Sequence, residues 1–100
     1  MTHTNIGTAK GTTLISNEKV IVTEWQFTAK GTNTGWHKHL YDYIVIPIVD
    51  GQLKIEDVSG TVTSAELVKG VPYFREKGVE HDVINASESQ MVFVEVELLS

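Results

Sequence analysis

No stretch of this chain keeps a helical period. Its apolar residues come in short runs, each soon closed by Gly, Asp, Asn or Ser, and that pattern leaves a fold built from strands. Residues 19–28 (KVIVTEWQFT) are rich in β-branched and aromatic types and alternate cleanly. Ile21, Thr23, Trp25 and Phe27 share one face, while Val20, Val22, Glu24 and Gln26 share the other. Further strands are expected over 41–49, 52–57, 61–67, 79–84 and 90–98. Residues 30–35 and 70–78 read as loops, and 85–89 as a turn. Asp50-Gly51 reads as a hairpin turn and Ser59-Gly60 as another. Pro47 cannot donate to a ladder, so it marks an edge or a bulge. Residues 1–11 are polar, rich in Thr and Gly, and expected to be loose, which leaves 12–100 as one domain. Short strands at regular spacing without helices imply a β-sandwich or a small barrel.

Composition narrows the function. With 41% apolar and 21% charged residues the chain is ordinary globular protein rather than a disordered segment. A net charge of −5 gives no basic footprint for a phosphate backbone or an anionic bilayer, so neither nucleic acid nor a membrane is an expected partner. The absence of cysteine excludes disulfides, zinc ribbons and thiol nucleophiles. The N-terminus lacks the apolar core of a signal peptide, and no run approaches the length of a membrane span, so a cytoplasmic location is expected. There is no Gly-x-Ser-x-Gly and no glycine-rich phosphate loop.

The histidines carry the chemistry. His3 falls in the frayed N-terminus and is given no role. His37 and His39 are two apart, so an extended segment projects them side by side. His81 lies on a later strand that pairing can bring opposite them. Neutral imidazole suits zinc, iron, nickel and copper, and three protein ligands with open positions describe a catalytic or substrate-binding ion rather than a closed structural one. The alternative is an exposed polar face, with His81 satisfied by ordinary hydrogen bonds.

Two motifs resemble those of the cupins. The first runs Gly, five residues, His-x-His, three or four residues, Glu, six residues, Gly; here Gly31, His37, His39 and Gly51 follow it. The second runs Gly, five residues, Pro-x-Gly, two residues, His, three residues, Asn; here Gly70, Gly78, His81 and Asn85 follow it. The resemblance implies an all-β fold, a small double-stranded β-helix or jelly-roll barrel, with a divalent ion (Fe, Ni, Zn or Mn) on His37, His39 and His81. The run from His37 to Tyr43 is also similar to that of one-domain bacterial cupins associated with β-alanine degradation. The chain departs from the pattern at two places. Tyr43 stands where the motif has glutamate, with one residue too many before Gly51, which a bulge at Pro47 would absorb; Glu76 stands where the motif has proline. Tyr43 can ligate, donate a hydrogen bond to a bound water or substrate, or pack; a phenol with a pKa near 10 favours the donor role, which makes Tyr43 the candidate acid or base.

Trp36 and Arg75 are the candidate substrate-binding residues. Trp36 adjoins the histidines, and Arg75, in the loop with Tyr73 and Phe74, suits a substrate carboxylate; the plain alternatives are packing and a solvated surface Arg. Trp25, Phe27 and Met91 are assigned to the core, Asp82 to the face away from the metal, and Asn85 and Gly78 to turns. Three functions compete: a metal-dependent enzyme acting on a small organic acid or related metabolite, a non-catalytic small-ligand-binding module, and a structural barrel with relic histidines. Uncovered strand edges in so small a barrel imply a homodimer.

Overall fold

The computed structural model describes residues 7–99; residues 1–6, including His3, and Ser100 lie outside them. The described chain holds nine strands and no helix: β1 (Lys10–Ser16), β2 (Val20–Phe27), β3 (His37–Lys38), β4 (Asp42–Pro47), β5 (Gly51–Asp57), β6 (Val62–Leu67), β7 (Tyr73–Arg75), β8 (Glu80–Asn85) and β9 (Met91–Leu98). They form two antiparallel sheets, β1-β2-β9-β4-β7 and β3-β8-β5-β6. The core lies between them. Phe27, Tyr43, Val45, Met91 and Phe93 come from the first sheet, and Leu53 and Val83 from the second, with Leu67 beside them. Phe27, Leu53 and Met91 are fully enclosed, each contributing roughly 1.5–3 kcal/mol by leaving water.

The period-2 expectation places most strands within a residue or two. Two elements lie where no extended segment was expected. β1 begins at Lys10, inside the segment expected to be loose, and Tyr73–Arg75 forms a short strand inside the loop 70–78.

Asp50-Gly51 does not close a hairpin between neighbouring strands. β4 and β5 belong to different sheets, and residues 48–50 carry the chain from one to the other. Gly51 has no positive φ; a Cβ there would fall 2.5 Å from Met91 Sδ and 2.8 Å from Ser87 Oγ, so close approach requires the glycine. Nor is there a bulge at Pro47. The β4–β9 register runs unbroken from Asp42↔Leu98 to Pro47↔Phe93, and the extra residue is taken up in the crossing. Pro47 sits beyond the last β7 pair, where its carbonyl accepts from Gly70 N and no ladder donor is needed. The register shift in this sheet is in β1, between Thr13 and Ile15.

Candidate metal centre

The site forms where β3 meets β8. The register sets His37 directly opposite His81, as the strand-pairing expectation requires. His39 lies just past β3 and is held by two backbone bonds: its N–H donates to the Val79 carbonyl, and Gly78 N–H donates to the His39 carbonyl, both at 2.8 Å. Gly78 can turn its amide that way because it sits at φ 99°, in the left-handed region.

The three imidazoles converge through Nε2. His39 Nε2 lies 3.1 Å from His37 Nε2 and 3.1 Å from His81 Nε2. The ring planes stand at 70°, 77° and 89° to one another. Nitrogens bound to one ion at about 2.1 Å are separated by roughly 3.0 Å at right angles and 3.4 Å in a tetrahedron, so the two separations from His39 match one shared ion, and the ligand atoms of all three histidines lie within 4.8 Å of one another. His37 Nδ1 donates to the Gly35 carbonyl at 2.9 Å, which leaves its Nε2 lone pair directed at the centre. A proton on His39 Nε2 can satisfy only one neighbour at a time, whereas a cation accepts all three lone pairs. Burial first, and His37 second, lowers the His39 pKa to about 4. Burial, then His37 and His39, lowers His81 to about 3. Both are therefore neutral near pH 7, the form that binds metal.

Asp82, on the opposite parity from His81, is buried and orders the loop before β3. Its carboxylate accepts from Asn33 Nδ2 at 2.9 and 3.2 Å and from Gly35 N–H at 3.0 Å. Asn85 shapes a turn as expected. Its Nδ2 donates to the Ala29 and Ser89 carbonyls, and its Oδ1 accepts from Ser87 N–H.

His39 and His81 line a cavity of about 260 Å³ whose walls are largely apolar, among them Val45, Ile55, Val83 and Phe93. That is slightly below the range of about 300–1,000 Å³ for drug-sized ligands and suits a small metabolite. Tyr43 is 3% exposed and lies flat on the His39 ring, with centroids 3.8 Å apart and planes at 14°. Burial, then Glu95 and Tyr73, pushes its phenol pKa up against an opposing pull from Arg75, so it stays a protonated donor. Arg75 lines the cavity from its exposed edge, its guanidinium 4.4 Å from the Tyr73 ring centre and donating to the Phe74 carbonyl. Trp36 is half-buried at the bend before β3 and is not among the residues lining this cavity.

Sequence reasoning missed Glu95. This carboxylate lines the same cavity, is 9% exposed, and has Oε2 3.9 Å from His39 Nε2. That distance would fit an ion pair, but burial keeps the imidazole neutral. Burial, then Glu97, raises the Glu95 pKa to about 7 against a lowering hydrogen bond from Trp25. The available signal was a charge on the same parity as Met91 and Phe93.

No protein-family profile matches the chain. Among curated proteins, the β-alanine degradation protein BauB of Pseudomonas aeruginosa is 52% identical over 87 residues, spanning 87% of this chain and 90% of that protein. Among solved structures, a cupin domain from Bordetella pertussis matches with a TM-score of 0.87 and 46% identity, covering 96% of this chain and 97% of that one. A double-stranded β-helix domain protein of Klebsiella pneumoniae shares the fold at a TM-score of 0.71 and 20% identity, over 90% of this chain and 76% of that one.

Proposed function

The chain belongs to the cupin family, as a small cupin domain related to BauB, and from that membership we propose that it holds one divalent ion on His37, His39 and His81 to act on a small organic acid or related metabolite. The convergence of three Nε2 atoms carries the reading. A bound ion would polarise a carboxylate or carbonyl, or activate water or dioxygen. The protein's own groups then divide the work. The apolar walls exclude water, and Arg75 at the exposed edge attracts a substrate carboxylate. Tyr43 donates a proton or hydrogen bond toward the substrate. The name of the BauB relative supports a small amino or carboxylic acid as ligand. Cupin barrels host several reaction types, so the fold does not choose among dioxygenase, isomerase, decarboxylase and lyase. Tyr43 at the motif's glutamate position favours a second reading, a binding module without turnover.

Metal-loaded protein titrated with β-alanine and short carboxylates, with melting temperature and product both followed, tests the proposal. A ligand at a hundredfold excess over Kd stabilises by about 2.7 kcal/mol, or on the order of 10 °C in Tm. The expected result is a rise that requires metal. Product alongside it selects the enzyme, and stabilisation without product selects the binding module. No shift and no product with any of these acids contradicts the small-acid reading.

We also propose a homodimer. The outer face of the five-stranded sheet carries half-buried Ile44, Ile46, Val92, Val94 and Val96, and β1 is exposed along its whole length.

A further inference from the structure

One charged side chain enters the metal cavity from β9, a strand that carries neither histidine motif. We propose that Glu95 is a fourth protein ligand of the ion, in place of the motif glutamate where this chain has Tyr43; the proposal rests on the metal reading above.

Three observations carry it. The first is distance. Two atoms bound to one ion at about 2.1 Å are separated by roughly 3.0 Å when adjacent and 4.2 Å when opposed. Glu95 Oε2 stands 3.9 Å from His39 Nε2, inside that span. The second is the position of Tyr43. A metal bound by an imidazole lies in the plane of the ring. The Tyr43 ring is stacked on His39 nearly parallel at 3.8 Å, so its phenol oxygen runs beside that plane, offset by more than a ligand bond of about 2.1 Å. The motif position therefore flanks the ion without binding it.

The third is the cost of the carboxylate. Unbroken pairing of β9 with β2 and β4 turns Met91, Phe93 and Glu95 to the interior, so Glu95 occupies a core position. A buried charge persists when it is paired or binds a metal. Among the described residues its one contact at ion-pair distance is with His39, a site where the other two imidazoles also converge. Three imidazoles and one carboxylate still leave positions open for substrate.

The test uses Co²⁺ as the probe, added to metal-free protein, with Kd by competition and the visible spectrum of the bound ion as readouts. Wild type, Glu95→Gln and Glu97→Gln are compared, and the Tm of each metal-free protein is recorded. The expected result is at least a tenfold weaker Kd and an altered spectrum for Glu95→Gln alone, with a metal-free Tm no lower than wild type, because the amide matches the carboxyl in shape and carries no charge to bury. Wild-type Kd and spectrum in Glu95→Gln would overturn the assignment and leave the three-histidine site standing. Weaker binding accompanied by a lower metal-free Tm would also overturn it, by making Glu95 a structural group. No Co²⁺ binding by wild type would remove the three-histidine site and this inference together.

Discussion

His37 can offer Nε2 to a metal because its Nδ1 proton is committed to the Gly35 carbonyl, and Gly35 is itself fixed through its N–H by the buried carboxylate of Asp82. A residue that faces away from the histidine cluster thus sets the tautomer of one that belongs to it. Asp82→Ala strips the acceptor from Gly35 N–H and from Asn33 Nδ2. The expected outcome is a metal affinity about 10–100-fold weaker and a stability loss of about 1–3 kcal/mol, checked by metal titration and by urea unfolding. An affinity within twofold of wild type would show that the loop holds His37 without Asp82. The histidines were legible because a strand's period of two is strict: His37 and His39 share a parity, and pairing needs only to bring His81 across. Glu95 was not legible because a carboxylate on the core parity of β9 does not say what it faces, which only the pairing of β9 with β2 and β4 sets. In β9 one face reads Met91, Phe93, Glu95 and the other Val92, Val94, Val96. Assigning Met91 to the core put Phe93 and Glu95 on the inner face as well, and the structure buries all three.

Strands with one buried face announced themselves, and so did the mostly exposed β6; β1 and β7 did not. β4 and β8 read as strands because Tyr43, Val45 and Pro47, and His81, Val83 and Asn85, alternate inward. β1 is exposed at every position, so no burial constraint writes a pattern into KGTTLIS. β7 has only three residues, too few to show a period within a Gly- and Pro-containing loop. Asp50-Gly51 misled because Asp-Gly signals φ > 0, whereas Gly51 is small to admit Met91. The outer sheet face also bears on assembly. If Ile44, Ile46 and the valines of β9 are covered by a second copy, light scattering gives twice the mass of 11.1 kDa. Val94→Lys, at the middle of that face, then gives the monomer mass. A monomer for the wild type would contradict the pairing.

At the scale of the whole molecule, two facing sheets create one enclosed space, and the chemistry sits at one end of it. The five-stranded sheet brings Tyr43 and Glu95; the four-stranded sheet brings His37 and His81; the segment between β3 and β4 brings His39. Large apolar side chains fill the rest, with Phe27, Leu53 and Met91 sealing it from water. Turn spacing made a β-sandwich or small barrel legible, and the resemblance of the two histidine motifs to those of the cupins implied the jelly roll and the shared centre. The cavity and its carboxylate arise from long-range pairing of β9 with β2 and β4, which no local pattern encodes. The most direct measurement is metal content by elemental analysis of protein carrying no histidine tag, beside a His37→Ala/His81→Ala variant, both after exposure to iron, nickel, zinc and manganese. About one equivalent in the wild type and none in the folded variant is the expected result. No metal in the wild type, or equal metal in both, would contradict a three-histidine centre.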